Sequence, residues 1–216
     1  MSHEPPADCA ACPRLAAFRD RNRSAYPAYH NAPVASFGGL DSRLLVVGLA
    51  PGLKGANRTG RPFTGDGAGT LLYPALIEAG FAKGSFGARA DDGLVLLDCR
   101  VTNAVRCVPP GNKPTPAEVA TCRGWLASEF AAMANLAAVL ALGAIAHGAV
   151  IRALGHAPSR HPFGHGAAHG LGRLTLIDSY HCSRLNTNTG RLTPAMFGAV
   201  LARVRAIVAA PRGAGD

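Results

Sequence analysis

The chain is short of lysine, of acidic residues, of tryptophan and of long uninterrupted apolar sequence. Among 216 residues there are three lysines (Lys54, Lys83 and Lys113), 13 Asp and Glu together, and one Trp. Only 16% of residues are charged while 48% are apolar, which excludes a disordered, charge-rich tail. The basic excess, +9 with a pI near 9.8, is therefore carried almost wholly by arginine. Guanidinium groups grip phosphate bidentately, so a polyanionic partner is favoured over a neutral metabolite. A GC-rich genome enriches arginine, alanine and glycine in the same way, and charge alone supports nucleic acid weakly. The longest apolar stretch, around Leu136 to Leu142, is interrupted by Gly143, His147 and Gly148, so no membrane span is expected. The opening residues MSHEPPAD lack the apolar core of a secretion signal, which points to a cytoplasmic protein. In that compartment the six cysteines are not to be read as three disulfides. A Gly-x4-Gly-Lys-Ser/Thr loop is also missing, which argues against binding of a nucleotide triphosphate.

What is present is an α/β pattern. Apolar runs at Arg43 to Leu49, Gly93 to Cys99, Ala137 to Leu142 and Arg173 to Ser179 lack clean alternation, as strands buried on both faces do. Helices are expected at Thr70 to Ala79, Thr115 to Ala134, Ala144 to Leu154 and Pro194 to Ala209. The second of these opens with a capping signature, Thr115-Pro116-Ala117-Glu118. Alternating strands and helices predict a three-layer α/β/α sandwich on a four-stranded, mostly parallel sheet. One domain spanning 1–216 fits the length, with 1–8 and 210–216 expected to be flexible.

The most informative segment is Gly48 to Asp66, GLAPGLKGANRTGRPFTGD, directly after the first strand. A loop this long in a compact domain is usually functional, and ligands in such sheets bind beyond the carboxyl ends of strands. Its glycines allow close backbone approach to a ligand, Phe63 offers a flat apolar face, and Asp66 closes the loop. An ordinary helix cap at Asp66 explains the same spacing equally well. After the fourth strand comes Tyr180-His181-Cys182-Ser183-Arg184-Leu185-Asn186-Thr187-Asn188-Thr189-Gly190-Arg191, expected at the same sheet edge. There Arg184 and Arg191 suit phosphate contact and Leu185 suits a wedge into a base stack, though a plain polar turn has the same composition. Cys9, Cys12, Cys107 and Cys122 combine a C-x2-C pair with two distant cysteines. Spacing allows zinc, a four-iron cluster or a redox pair. His156, His161, His165 and His169 match no common zinc spacing and read as a mobile surface loop near the site.

GLAPG followed by GRPFTGD, the four spaced cysteines and HCSRLNTNTGRLT together closely resemble the uracil-DNA glycosylase superfamily, specifically its iron–sulfur-containing family 5 (UDGb type). The resemblance extends from about Cys9 to Val208. It implies a monofunctional, monomeric DNA repair glycosylase of the bacterial nucleoid that hydrolyses the N-glycosidic bond of uracil and other deaminated bases, leaving an abasic site. It further implies a 4Fe–4S cluster on Cys9, Cys12, Cys107 and Cys122, with Asp66 and His181 as catalytic groups. Gly48, Leu49, Ala50 and Gly52 would form the pocket wall and Phe63 the stacking platform. Asn103 or Asn112 would read the base edge, Asn186 would line the pocket, and Arg184, Leu185 and Arg191 would hold DNA. Where sister families carry an acidic or amide residue near the first glycine, this chain has Leu49 and Ala50. Cys182 replaces their usual proline. A catalytically weak damaged-DNA-binding protein with a structural metal site is the alternative; a zinc-bound RNA-binding module would leave GRPFTGD without a purpose.

Overall fold

Strands that are apolar at every position need a helical layer on each face, and the chain supplies both. The computed structural model describes residues 3–210. In chain order the elements are α1 (Pro13–Ala25), β1 (Leu44–Gly48), α2 (Ala56–Thr59), α3 (Gly69–Glu78), β2 (Ala82–Lys83), β3 (Val95–Leu96), β4 (Cys99–Asn103), α4 (Pro116–Ala132), β5 (Ala138–Leu142), α5 (Ala144–Ala153), β6 (Ala168–Leu171), β7 (Leu174–Ser179), α6 (Arg184–Asn188) and α7 (Pro194–Ala209). The main sheet has the order β4-β1-β5-β7-β6; β6 is antiparallel to β7, and every other neighbouring pair is parallel. Within β1, Leu44 and Val46 face a core that includes Leu72 and Tyr73 of α3 and Phe197 and Leu201 of α7. Leu45 and Val47 face the opposite core, with Leu126 and Phe130 of α4 and Val150 and Ile151 of α5. Alternation in direction with uniform apolarity is what makes three layers. Among the described residues no helix is long and apolar enough to cross a membrane.

The α/β/α class is as expected, with three departures in detail. The sheet has five strands instead of four, because His169 and its neighbours pair as β6 along β7. The histidine segment expected to be a mobile loop is thus partly built into the sheet edge. The run Gly93 to Cys99 is not a sheet strand. Val95–Leu96 pairs with Ala82–Lys83 in a two-stranded ribbon, while the strand beside β1 begins at Cys99 and carries Arg100, Thr102 and Asn103. Polar residues can occupy that buried strand because partners wait for them. Arg100 Nε donates to Glu129 Oε1 at 2.6 Å, Arg106 donates to the other Glu129 oxygen, and both arginines also reach Glu4 at 2.9 Å. Burial alone would push the Glu129 carboxyl up; Arg106 and Arg100 outweigh it and hold it below its ordinary range. The third departure is α1, which is capped by Cys12, buries Leu15, Arg19 and Asn22, and has little apolar periodicity to announce it.

The expected capping box at Thr115 is present: its hydroxyl accepts from Glu118 N–H, and Glu118 accepts from Thr115 N–H. Glu118 also takes two hydrogen bonds from Arg14, both at 2.7 Å, joining α1 to α4. Of the ends expected to be flexible, residues 1–2 and 211–216 lie outside the described residues. Glu4, inside them, is held by Arg100 and Arg106.

Candidate active site and cysteine cavity

Parallel pairing places Gly48 beside Asn103 and Leu142 beside Ser179, so the carboxyl ends of four strands open onto one edge. The loops that leave this edge surround a cleft of about 680 Å³ lined by Leu49, Ala50, Gly52, Asp66, Asn112, His181 and Arg184, among others. Sharing Ala50, Asp66 and His181 with it is a narrower recess of about 30 Å³, also walled by Pro51, Phe63 and Asn103. The two asparagines thus sit at different depths, Asn103 in the recess and Asn112 on the cleft wall.

Glycine is required at the end of β1. A Cβ on Gly48 would lie 2.4 Å from Phe63 Cζ and 2.5 Å from Asn103 Oδ1. Phe63 itself has φ +56°, an uncommon conformation for an aromatic residue. Its neighbours hold it there. Tyr73 donates its hydroxyl to the Pro62 carbonyl at 2.6 Å, and Arg61 forms a bidentate pair with Asp92 at 2.8 and 2.6 Å while lying over the Phe37 and Tyr73 rings. The Arg61 guanidinium holds the Asp92 carboxyl well below the usual carboxylate range. The Phe63 ring lies nearly parallel to that of His181, 6.0 Å between centroids. Arg61, Asp92 and Tyr73 were not expected as supports of the site. Arg61 adjoins Phe63 and could have been suspected, but nothing in the sequence connects it with an aspartate 31 residues away.

Asp66 sits behind two more tight approaches, since a Cβ on Gly55 would come within 2.4 Å of Asp66 Oδ2 and one on Gly52 within 3.2 Å. Burial pushes its carboxyl above its ordinary range, and the Ala68 N–H, donating at 3.1 Å, and the charge of Arg184 offset this only in part. Burial lowers the His181 imidazole, favouring the neutral ring. The site therefore holds a desolvated carboxyl and a neutral imidazole in the lining of one recess, an arrangement suited to acid–base or electrostatic work.

The remaining expected residues lie outside the recess. Asn186 donates to the His181 carbonyl at 2.8 Å, so its amide anchors the histidine's backbone. Leu185 projects from α6 with 73% of its surface exposed. Arg184 packs over Gly67 at the cleft rim, while Arg191 lies farther along, its guanidinium 4.6 Å from the Tyr180 ring centre. Cys182, where proline was noted as usual, is fully buried.

All six cysteines are free. Cys9, Cys12, Cys107 and Cys122 line one small cavity together with Leu15, Val105 and Trp125. Burial and the neighbouring thiols push Cys107 up to about 12, and a bound cation would reverse that balance. The Arg106 N–H lies 3.4 Å from Cys122 Sγ, placed to stabilise a thiolate. The donor set is all sulfur, which suits zinc or iron–sulfur chemistry. The small core around these cysteines also includes Ala50, so the cavity backs directly onto the glycine loop.

A family model described as the uracil DNA glycosylase superfamily matches residues 35–205. The Type-5 uracil-DNA glycosylase of Thermus thermophilus is 46% identical over 199 residues, covering 89% of this chain and 90% of the relative. That of Pyrobaculum aerophilum is 40% identical over 203 residues, covering 92% and 88%. A Type-4 uracil-DNA glycosylase of Thermotoga maritima is 37% identical over 114 residues, about half of each chain.

The raised Asp66 carboxyl has a consequence for stability. An acid whose folded-state pKa exceeds its unfolded value costs stability once pH rises above the unfolded value, about 3.9 for Asp. Asp66→Asn should therefore melt at a higher temperature than wild type at neutral pH, with the gain shrinking as pH falls toward that value. Thermal melts across the range check this; a variant that melts lower than wild type at neutral pH contradicts it.

Proposed function

The chain belongs to the uracil DNA glycosylase superfamily, and from that premise we propose that it hydrolyses the N-glycosidic bond of uracil in DNA, leaving an abasic site. The observation that carries the reading is the recess where Asp66, Phe63, Asn103 and His181 meet at the carboxyl edge of the sheet. A base must leave the duplex to reach such a recess, at a cost of a few kcal/mol that stacking and edge contacts repay. The recess is narrow as it stands, so the Phe63 and His181 side chains must part for a planar base to enter.

Each wall then has a part in the reaction. Phe63 stacks on the extruded base, and Asn103, at the depth of Phe63, reads its edge. Asn112 is better placed for the sugar or for a neighbouring nucleotide. As the bond from C1′ to the base nitrogen breaks, positive charge develops on the sugar and negative charge on the base. The neutral His181 ring donates a hydrogen bond to the base oxygen as that charge grows. Asp66, ionised, stabilises the cationic sugar and orients the water whose oxygen bonds C1′; the proton released from the water balances the departing base. Arg184 at the rim holds a flanking phosphate, Leu185 fills the space left by the base, and Arg191 contacts the backbone farther out. Other deaminated bases of similar shape fit the same scheme, and such an enzyme acts on DNA in the cytoplasm.

We also propose that Cys9, Cys12, Cys107 and Cys122 hold a 4Fe–4S cluster. The all-sulfur donor set lining one small cavity supports this reading. Bound there, a cluster supplies electron-transfer capacity and structural cross-linking; in this chain the cross-link is the part that matters. Cys9 and Cys12 would thereby be joined to Cys122 of α4 and to Cys107, beside the small core that includes Ala50.

A uracil-containing oligonucleotide treated with the protein and then with hot alkali should be cut at the uracil. Asp66→Asn should lower the single-turnover rate on the order of 10²–10⁴-fold with DNA binding near normal. Binding without cutting by the wild-type protein would favour a damage-binding protein, and unchanged turnover in the variant would remove Asp66 from its role. For the cysteines, brown wild-type protein containing about four irons per chain is expected, with Cys107→Ser colourless and less soluble. Colourless wild type purified without oxygen argues against the cluster.

A further inference from the structure

Away from the recess, on the far side of the β7 terminus, the structure gathers an unusual set of imidazoles around one buried carboxylate. Asp178, in β7, is wholly buried. Its ion-pair partners among the described residues are two histidines, with no arginine or lysine. His147 Nδ1, from α5, lies 2.7 Å from Asp178 Oδ1, and His169 Nε2, from β6, lies 3.1 Å from Oδ2. The Gly164 N–H donates to Oδ2 at 3.3 Å. The His161 ring packs edge-on against His169 at 5.6 Å, and the His156 ring packs against His161 at the same distance. Two imidazoles thus reach the acid, and two more pack outward from them in a row.

A buried carboxylate must be compensated. The second nitrogen of His147 shows how. Its Nε2 is 2.8 Å from the His161 carbonyl, which can only accept, so Nε2 carries the proton. Nδ1 is then left with a lone pair directed at the carboxylate, unless something positive lies between them. Imidazoles that ligate a metal commonly donate the other N–H to a backbone carbonyl, which fixes the tautomer. A single proton on His147 would balance the carboxylate but leave His169 without a part, whereas a divalent ion uses both rings and leaves them neutral.

We propose that His147 Nδ1, His169 Nε2 and an Asp178 oxygen form a divalent transition-metal site, separate from the cysteines and suited to Zn²⁺. The three ligand atoms lie within 4.8 Å of one another. A tetrahedral zinc with bonds of roughly 2.0–2.1 Å holds its donors about 3.3 Å apart. His147 Nδ1 and His169 Nε2 approach different Asp178 oxygens, at 2.7 and 3.1 Å, so the carboxylate must turn, or offer both oxygens, for one ion to take all three residues. Nitrogen and carboxylate donors of this kind suit zinc or cobalt better than calcium or magnesium. A water completes the fourth position. The ion would staple α5, β6 and β7 together just before β7 leads into Tyr180 and His181.

The test uses protein with its cysteine-bound metal intact, stripped of loosely held ions and dialysed against Zn²⁺. Wild type should take up about one zinc per chain beyond its iron by elemental analysis, and added Zn²⁺ should raise its melting temperature. His169→Ala, on the edge strand β6, should keep wild-type iron while binding Zn²⁺ at least about 100-fold more weakly, since even second-shell losses cost 10–100-fold. Asp178→Asn should do the same if it folds. Wild type that takes up no zinc overturns the proposal and leaves a His147 imidazolium paired with Asp178. Stoichiometric zinc retained by His169→Ala overturns it as well.

Discussion

The recess exists because β1 ends on a residue without a side chain. Parallel pairing with β4 brings Asn103 alongside Gly48, and the returning loop lays Phe63 across the same point. Any Cβ at Gly48 would collide with both. A single missing methyl group thus lets an amide and an aromatic face share one wall at the carboxyl edge of the sheet. The rest of the site is arranged around that contact. The Tyr73 hydroxyl and the Arg61–Asp92 pair hold the chain on the near side of Phe63, and His181 arrives opposite from the end of β7. Phe63 keeps its left-handed backbone because the chain leading into it is tied, at a strain cost of order 1–3 kcal/mol.

Electrostatics follow from the same packing. Close glycine approaches at Gly52 and Gly55 wrap backbone around Asp66 and strip it of water. Arg184 is near enough to moderate the cost without neutralising the acid. His181 is kept neutral by the burial that positions it. A carboxylate that is expensive to bury and a donor that carries no charge are what a reaction creating a cationic sugar and an anionic leaving group requires of its walls. The cysteine cavity contributes from behind, since Ala50 of the glycine loop packs in the small core around it.

Much of this was legible in the residues. Runs such as Leu44 to Val47 and the Thr115 capping signature led to the correct elements, and Pro194–Ala209 was placed at its observed bounds. The motif loops were expected at one edge, and the sheet puts them there. The failures share a physical origin. Leu94 to Leu97 looks more like a strand than Arg100 to Asn103 does, but Arg100 is accommodated by Glu129, 29 residues away, and no local pattern records that pairing. The strand at Ala168–Leu171 is rich in His and Gly and holds its place through pairing to β7 rather than through apolar content. Helix α1 depends on its buried Arg19 and on Arg14 reaching Glu118, contacts that span too much chain to be read from periodicity. Asn186 turns its amide back to the His181 carbonyl, a contact that no sequence pattern announces.

The proposed reaction requires Asp66 to work as a desolvated carboxylate beside a neutral histidine. The pH dependence of uracil release under single-turnover conditions, over roughly pH 4 to 8, addresses this most directly. The wild-type rate should fall on the acid side along a limb centred above the ordinary aspartate value of about 3.9, and Asp66→Asn should lose that limb along with most of its rate. A wild-type profile that is flat through this range, or an acid limb that persists unchanged in the variant, would contradict it.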